Sequence, residues 1–400
     1  MPKLLIIADD LTGALDTGVK FAEAGLKTAV STRCESCLAD TSSDVAVLCA
    51  DTRHLSGEEA YRAIRSIVET NRDRFPLLMK KTDSGLRGNI GAELQAFLDG
   101  TGESTLAFLP ALPEMRRVTR GGVQYIDGVP VSKSVFGSDP FEPVLDDDIS
   151  VLLSRQCSVP TRVISREEAG SALRDSDGPV IRIYDAETPE DMRRAVSRVL
   201  SDGQTHLLAG CAGLAQALAG ELSGSAASPG RPSEHDPLLV VCGSVNNVSA
   251  RQLDYAESRG FERVHLPMEF LLGEGDDPIL GTIAGKCAAS VPLMLDTFTT
   301  AEEASANISP EELEKRRQRI SRRLGRLIKG LMNCGVHRRI LIIGGDTLLA
   351  LMDELNCAAI TPLCEPDRGV VLFELEYAGE TRRIMSKSGG FGAEDLLTRL

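Results

Sequence analysis

The chain has no apolar run that approaches about 18 residues, the length at which a membrane-spanning helix becomes a candidate. Its N-terminus lacks a charged segment followed by an apolar stretch and a cleavage site, so we predict no secretory signal peptide. An excess of basic residues is also missing: 44 Lys and Arg stand against 58 Asp and Glu, a formal net charge of −14. We therefore expect no membrane partner and no nucleic-acid partner, because nucleic-acid binding generally requires a basic surface. A small anionic ligand is not excluded, since a local cluster of cations can oppose the overall sign.

The ten cysteines lack the spacing of a zinc site. Cys34 and Cys37 form a lone Cys-x-x-Cys pair with no second pair and no nearby histidine. Cys49 and Cys242 lie inside apolar segments, as buried thiols do. The sequence therefore predicts free thiols in a reduced, cytoplasmic protein, with pairing of Cys34 and Cys37 under oxidising stress left open.

The length of 400 residues exceeds what one hydrophobic core usually supports, so we expect two domains. A segment rich in Ser, Gly, Ala and Pro begins at Ser223 and is typical of a linker. We predict an N-terminal domain over 1–222, a linker over 223–237 and a C-terminal domain over 238–400. In both domains short apolar strands alternate with amphipathic helices, which predicts an α/β fold with a mostly parallel sheet flanked by helices in each. An Asp-Gly turn predicts a hairpin insertion near 121–131.

Polar residues follow the predicted strands of the first domain. Asp9 and Asp10 come directly after an apolar strand, and Arg53 follows the next one along the chain. Ligands of open α/β sheets bind outside the carboxyl ends of strands. There, Asp9 and Asp10 are suited to act as a general base or to bind a hydroxyl, and Arg53 is suited to hold a carboxylate. The simpler alternatives are a helix N-cap formed by Asp10 or Thr12 and a surface position for Arg53.

The loop with the most charged and hydroxyl side chains follows a strand predicted at Phe75–Met79. It ends at Asn89, whose side chain is expected to accept a hydrogen bond from the first turn of a helix predicted over Ile90–Leu98. Glycine-rich backbone, a helix N-terminus and cationic side chains together favour an anion. The alternative is a solvated turn whose charges pair with each other. The candidate residues of this loop are Lys80, Lys81, Thr82, Asp83, Ser84 and Arg87.

Three glycine-rich turns with hydroxyl side chains occur in the second domain, and the first two follow predicted strands. They begin at Gly243, Gly344 and Ser386. Such turns are used to bind nucleotide phosphates. None has the Gly-x-x-x-x-Gly-Lys-Ser/Thr or the Gly-x-Gly-x-x-Gly pattern, so each alone is weak evidence, and the three together favour a nucleotide site.

Taken together, these motifs resemble the four-carbon acid sugar kinase family over nearly the whole chain. The most specific are Ala8–Ala14 and Lys80–Glu93. Further matches are Pro110–Pro113, Asp139 with Pro140, Gly243 with Ser244, Gly344–Thr347 and Lys387–Gly389. Members of that family have a sugar-acid domain and a nucleotide domain, and they phosphorylate the terminal hydroxyl of threonate, erythronate or an oxo-tetronate with ATP. The sequence departs from the family pattern around Arg116–Thr119 and at Lys133 with Ser134, which leaves the identity of the acid open.

The resemblance implies an ATP-dependent kinase with a sugar acid and ATP as its small-molecule partners. A homodimer is one option for its assembly. Asp10 or Asp83 would orient the attacking hydroxyl and accept its proton, with Asp10 preferred, and Mg²⁺ would bridge ATP oxygens through protein ligands that the sequence does not identify. The candidate substrate residues are Asp10, Arg53, Lys81, Thr82, Asp83, Ser84 and Arg87. The candidate ATP residues are Ser244, Gly344, Gly345, Asp346, Thr347 and Gly389.

Two other functions stay open at this stage. The first is a kinase of a different small hydroxy acid in which Asp346 is the base. The second is a regulator that binds a sugar acid without phosphoryl transfer, which would leave the glycine-rich turns of the second domain unexplained.

Overall fold

The computed structural model describes residues 3–32, 41–139, 142–171, 178–203, 205–223, 236–273, 279–298 and 309–400. Cys34, Cys37, Pro140 and most of the predicted linker lie outside these ranges. The chain divides into two compact units, Met1–Ser228 and Pro229–Leu400. This division falls within the segment predicted as a linker, while the role assigned to each domain stays a prediction.

The strands of the first unit are apolar and short. They are β1 (Leu4–Ala8), β2 (Thr28–Ser31), β3 (Val45–Cys49), β4 (Leu78–Lys81), β5 (Thr105–Leu109), β6 (Arg117–Arg120), β7 (Val123–Ile126), β8 (Val129–Pro130), β9 (Thr161–Ile164), β10 (Val180–Tyr184) and β11 (Leu207–Gly210). The helices are α1 (Leu11–Glu23), α2 (Gly57–Asn71), α3 (Ile90–Thr101), α4 (Ile149–Ser154), α5 (Pro189–Asp202) and α6 (Ala212–Leu222).

Within the described residues, the main sheet of this unit has the strand order β2-β3-β1-β4-β11-β5-β10-β9, with every pair parallel. Strands β1, β3 and β5 are buried along their whole length. A parallel sheet covered by helices on both faces requires such continuous apolar strands. The remaining strands β6, β7 and β8 form a separate antiparallel sheet. Asp127 and Gly128 turn between β7 and β8 with φ of 51° and 83°, so the predicted Asp-Gly hairpin is confirmed.

The second unit contains β12 (Leu238–Cys242), β13 (Glu262–His265), β14 (Leu293–Asp296), β15 (Arg339–Ile343), β16 (Ala359–Asp367), β17 (Val370–Tyr377) and β18 (Glu380–Lys387). Its helices are α7 (Asn247–Ser258), α8 (Met268–Leu272), α9 (Leu280–Cys287), α10 (Pro310–Asn333), α11 (Gly345–Leu355) and α12 (Leu396–Arg399). Across its described part the strand order is β13-β14-β12-β15-β18-β17-β16. The first five strands are parallel, and β17 is antiparallel to both of its neighbours. The predicted fold class, α/β with mostly parallel sheets, is confirmed.

No helix in the described ranges is both long enough and apolar enough to cross a membrane. The longest, α10, buries Leu324, Leu327, Ile328 and Leu331 along one face. Cations on its other face pair with acidic residues, as Arg326 does with Glu354 at 2.9 Å.

Strand β4 corrects one prediction. It lies at Leu78–Lys81 rather than at Phe75–Met79, so Lys80 and Lys81 are strand residues and not loop residues. Charged side chains disfavour a buried central strand, which is why the apolar pattern places the strand too early. Lys80 is tolerated because its Nζ lies 3.2 Å from Glu93 Oε2 and donates to the Lys81 carbonyl at 2.7 Å.

Asn89 corrects another prediction. It precedes α3 as expected, but its side chain forms no capping hydrogen bond. The amide nitrogen instead donates to the carbonyls of Leu55 at 2.7 Å and Thr52 at 3.2 Å. Asn89 thus ties the start of α3 to the loop that follows β3.

Candidate active site

The candidate substrate residues converge at the carboxyl ends of three neighbouring strands. Strand β1 lies between β3 and β4, and the register aligns Ala8 with both Cys49 and Lys81. The chain segments that leave these three strand ends carry the acidic and basic residues predicted from the sequence. The parallel sheet therefore brings together residues that are up to 78 positions apart in the chain, from Asp9 to Arg87.

Arg53 lies at the centre of this cluster. Its Nε and Nη2 donate to Asp9 Oδ2 at 2.8 and 2.7 Å. Its Nη1 lies 2.6 Å from Asp10 Oδ2, and its Nη2 lies 3.8 Å from Asp83 Oδ1. The planar guanidinium, with several donors in a fixed arrangement, suits this contact with three carboxylates. The interpretation of Arg53 as an ordinary surface residue is wrong, because the side chain is mostly buried and only 10% of it is exposed.

Asp9 is the most deeply buried acid of the cluster, with 3% of its side chain exposed. Its Oδ1 accepts a hydrogen bond from Lys81 Nζ at 3.3 Å. Burial alone would raise the pKa of Asp9, but Arg53 and Lys81 hold this pKa below its ordinary value. Burial would likewise lower the pKa of Lys81, but Asp9 and Asp10 raise it. Asp9 is therefore ionised at neutral pH and pairs with two cations, a role that the sequence predictions did not give it.

Asp10 caps helix α1 and keeps part of its carboxylate exposed. Its Oδ1 accepts a hydrogen bond from the Gly13 amide at 2.8 Å and its Oδ2 accepts one from the Thr12 hydroxyl at 3.0 Å, so it caps α1. It is also the most exposed of the three clustered carboxylates, with 19% of its side chain accessible. A Cβ at Gly13 would collide with Lys81 Nζ and with Asp10 Oδ1. Glycine at position 13 therefore allows the ammonium group to lie beside the start of α1.

Asp83 is held by Arg87 in a bidentate pair, through Nε to Oδ2 at 2.9 Å and Nη2 to Oδ1 at 3.0 Å. The Gly85 amide also donates to Oδ2, at 3.1 Å. Burial opposes ionisation, but Arg87 and Arg53 hold the pKa of Asp83 well below its ordinary value. Arg87 extends the network through Nη1 to Asp139 Oδ2 at 3.0 Å. The alternative that the charges of this loop pair with each other is thus correct for Asp83 and Arg87.

The Thr82 hydroxyl is a buried polar group of the same segment. Thr82 is 1% exposed, and no residue of the described ranges forms a hydrogen bond with its Oγ1. A buried hydroxyl without a partner costs free energy, so such a group in a native site calls for an explanation such as a ligand.

Lys80 does not belong to the anion-binding residues. It is fully buried and pairs with Glu93, which also accepts a hydrogen bond from the Thr52 hydroxyl. Burial raises the pKa of Glu93, although Lys80 opposes this shift. The Lys80–Glu93 pair therefore joins β4 to α3 and to the loop that carries Arg53.

The three glycine-rich turns of the second unit also lie together, because β12, β15 and β18 are neighbouring parallel strands. A Cβ at Gly389 would collide with Ser244 Oγ, and one at Gly243 would collide with Thr347 Oγ1. Gly344 has φ of 121°, and Gly345 begins helix α11. Bare backbone beside a helix N-terminus favours bound phosphate.

Two further residues complete this region. Asp346 lies in the first turn of α11 and pairs with Arg317, whose Nη1 is 2.7 Å from Asp346 Oδ2. Lys387 is fully buried at the end of β18 and donates to the carbonyls of Ser388 at 2.8 Å and Phe391 at 2.9 Å. Lys387 therefore fixes the last turn. Across the described ranges, no group of three or more His, Cys, Asp or Glu side chains is arranged to hold a metal ion.

Two family descriptions match the chain. Residues 4–218 match a sugar-binding N-terminal domain, and residues 239–397 match a nucleotide-binding C-terminal domain. The molecule is thus an α/β protein of the class that joins a sugar-binding to a nucleotide-binding domain. The chain belongs to the four-carbon acid sugar kinase family, and the resemblance predicted from its motifs is confirmed.

Characterised relatives match the chain over its whole length. It is 30% identical to the D-threonate kinase of Bordetella bronchiseptica, covering 100% of this chain and 96% of the relative. It is 28% identical to the D-threonate kinase of Salmonella typhimurium, covering 99% and 96%. It is also 28% identical to the 3-oxo-tetronate kinase of Methylobacterium radiotolerans, covering 98% and 97%. Equal identity to relatives with different acids means that overall similarity does not select the acid.

Solved structures support the fold. A structure from Salmonella typhimurium LT2 superposes with a TM-score of 0.79 at 20% identity, covering 100% of this chain and 98% of the other. One from Haemophilus influenzae superposes with a TM-score of 0.71 at 20% identity, covering 99% and 98%.

Proposed function

We propose that the protein transfers the γ-phosphoryl group of ATP to the terminal hydroxyl of a four-carbon sugar acid. Support comes from the relatives, which are named for the phosphorylation of D-threonate or 3-oxo-tetronate. The observation within this chain that carries the proposal is the cluster around Arg53, where Asp10, Lys81 and Thr82 lie at aligned strand ends. It combines a partly exposed carboxylate, a buried ammonium and a hydroxyl that has no hydrogen-bond partner among the described residues.

Asp10 is the proposed general base. A carboxylate has about four acceptor positions. The Asp83 carboxylate already accepts from Arg87, from the Gly85 amide and from the Arg87 amide. Asp10 accepts from the Gly13 amide, the Thr12 hydroxyl and Arg53, so acceptor capacity remains on its Oδ1. Of the two candidates, Asp10 is better suited to accept the proton of the attacking hydroxyl.

Lys81 and Thr82 are the proposed contacts for the oxygen atoms of the acid or of the migrating phosphoryl group. Lys81 stays protonated beside Asp9, and an ammonium has three donors. The Thr82 hydroxyl would gain a hydrogen-bond partner when a ligand oxygen binds next to it. Phosphoryl transfer depends mainly on such positioning and on neutralising charge.

ATP is proposed to bind at the glycine-rich turns of the second unit, through Ser244, Gly344, Gly345, Asp346, Thr347 and Gly389. These turns lie against one another beside the N-terminus of α11, where backbone N–H groups of the first helical turn favour a phosphate. Mg²⁺ supplies charge neutralisation when bound with ATP. The described residues offer no acidic cluster for it, so we expect the nucleotide phosphates and water to supply most of its ligands.

The test uses purified protein, Mg-ATP and a panel of acids: D-threonate, D-erythronate, L-threonate and 3-oxo-tetronate. We expect ADP release with at least one acid and a product phosphorylated on the terminal hydroxyl. Calorimetry with each acid distinguishes the regulator hypothesis, which predicts binding without ADP. Folded protein that turns over no acid of the panel would rule out the proposed activity.

A further inference from the structure

The antiparallel hairpin and the segment after it contact three residues of the substrate loop. We call residues 117–139 the hairpin insertion and residues 82–87 the substrate loop. An Nη1 of Arg117 donates to the Ser84 hydroxyl oxygen, and Gln124 Nε2 donates to the Ser84 carbonyl at 3.3 Å. The ring of Phe136 lies so close to Gly85 that a Cβ at that position would collide with it. The hairpin insertion therefore packs directly on the substrate loop.

Two arginines pack on the same ring. The guanidinium carbon of Arg117 lies 5.0 Å from the centre of the Phe136 ring, and that of Arg87 lies 5.1 Å from it. Both distances are within the range of attraction between a cation and an aromatic face. Because Arg87 also holds Asp83, the Phe136 ring connects the hairpin insertion to both charged residues of the substrate loop.

The contact between Arg117 and Ser84 fixes the direction in which the proton of the Ser84 hydroxyl points. A guanidinium only donates hydrogen bonds, so the Ser84 oxygen must accept from Arg117, and the Ser84 proton must point to another partner. Gln124 is fixed in the same way, because its Oε1 accepts from the Thr119 hydroxyl at 2.8 Å and its amide nitrogen is thereby turned towards Ser84. Ser84 and Arg117 are each 6% exposed, so bulk water does not readily replace these contacts.

We propose that Arg117 is a positioning residue that makes the Ser84 hydroxyl a hydrogen-bond donor to the carboxylate of the sugar acid, and that the hairpin insertion thereby sets the preference for acids over uncharged polyols. This inference rests on the proposed kinase function. A hydroxyl that donates to a carboxylate forms a charge-assisted bond, which is stronger than its bond to a neutral hydroxyl. Burial lowers the pKa of Arg117 in spite of the nearby Asp83, so the approach of an anion would stabilise the guanidinium as well.

The experiment compares R117M, R117K, S84A and the double variant R117M/S84A, with R116M as a matched control. Arg116 is the neighbouring arginine, has 75% of its side chain exposed and pairs with Asp127. For each variant, kcat and KM are measured with the acid that wild-type protein prefers. The affinity for the four-carbon polyol of the same stereochemistry is measured as competitive inhibition, and melting temperature reports folding.

We expect R117M and S84A each to raise KM for the acid about tenfold, the size of one hydrogen bond to a charged group, while kcat and polyol affinity change little. R117K should lie closer to wild type, because an ammonium also only donates. The double variant should be no worse than either single variant, because Arg117 acts on the acid through the Ser84 hydroxyl. R116M should behave as wild type.

The inference is overturned if R117M keeps the wild-type KM, or if the effects of R117M and S84A add up in the double variant. If R117M does not fold, R117K and S84A carry the comparison. If the protein does not phosphorylate the acid, calorimetry of acid binding measures the same double-variant cycle as a change in affinity. Binding without ADP release then shows that the kinase proposal fails while the role of Arg117 is still tested. Wild-type protein that binds none of the acids would overturn both proposals.

Discussion

Three carboxylates lie near the Arg53 guanidinium, and their surroundings give them different chemistry. Asp9 and Asp83 are buried beside cations that lower their pKa, so both stay ionised and serve as anchors. Asp10 is more exposed and retains acceptor capacity. At the level of single residues, the sequence pattern placed Asp10 and Arg53 after strand ends, where the structure brings them together, and their roles stay predictions. It did not distinguish Asp9 from Asp10, since that difference depends on which side chain the sheet buries.

The first prediction concerns Asp10. We expect D10N to lower kcat by about 100-fold or more with a smaller change in KM, because an amide cannot accept the proton of the attacking hydroxyl. ADP release at saturating acid is the measurement. D346N is the comparison, because Asp346 is the alternative base and is paired with Arg317. The reverse pattern, with kcat lost only in D346N, would move the base to Asp346.

The second prediction concerns pH. A group whose pKa is lowered on folding stabilises the folded state above its unfolded pKa, and this stabilisation is lost as the pH falls through the lowered folded value. For Asp9, with an ordinary pKa of 3.8, the free energy of unfolding should therefore fall as the pH drops below about that value. Urea unfolding at a series of pH values should show a weaker dependence for D9N. Asp73, with 91% of its side chain exposed, provides the control D73N, which should retain the wild-type pH profile.

Elements with continuous apolar sequence can be recognised from the sequence, as β1, β5 and β12 show. Strand β4 was misplaced because it ends in two lysines, whose burial depends on Glu93 and Asp9 from distant parts of the chain. Strands β16, β17 and β18 were not predicted at all. Strand β16 begins with alternating exposed and buried residues and contains two prolines, and β17 and β18 contain charged residues. All three are stabilised by pairing with each other, which local propensity does not report.

The third prediction concerns the Lys80–Glu93 pair, which joins β4 to α3. We expect K80M to lower the free energy of unfolding by about 3 to 5 kcal/mol, because Glu93 would be left buried without its cation. The double variant K80M/E93L should recover part of this loss. The urea midpoint of each protein is the measurement, and an equal loss in single and double variants would argue against an electrostatic cause.

The fourth prediction concerns the glycine-rich turns. We expect G389A to raise KM for ATP several-fold, because the added methyl group would displace the Ser244 hydroxyl. G281A is the matched control in α9, where an added Cβ meets no heavy atom of the described residues within 4 Å. Steady-state kinetics at saturating acid checks both variants. An unchanged KM in G389A would place ATP elsewhere.

At the scale of the whole molecule, the chain consists of two units, and each contributes one set of candidate residues. Sequence length and the Ser- and Gly-rich segment predicted two domains, and the resemblance to the four-carbon acid sugar kinase family implied which ligand each would bind. The identity of the acid could not be predicted, because relatives with different acids are similarly close to this chain. A motif also does not encode side-chain packing such as that of Arg117 on Phe136.

The fifth prediction follows from this division. We expect R53K to weaken acid binding while the affinity for a non-hydrolysable ATP analogue stays as in wild type, because Arg53 belongs to the first unit. G389A should show the opposite pattern. Calorimetry with each ligand alone is the measurement, and loss of both affinities in R53K would contradict the assignment of the two ligands to different units.

Because Gly13 has no side chain, the Lys81 ammonium can lie beside the carboxylates of Asp9 and Asp10 at the start of α1. Any other residue at position 13 would therefore add a Cβ that displaces Lys81 Nζ or the Asp10 carboxylate. An engineer who randomises the first helical turn to obtain new acid preferences should leave the codon for this glycine fixed.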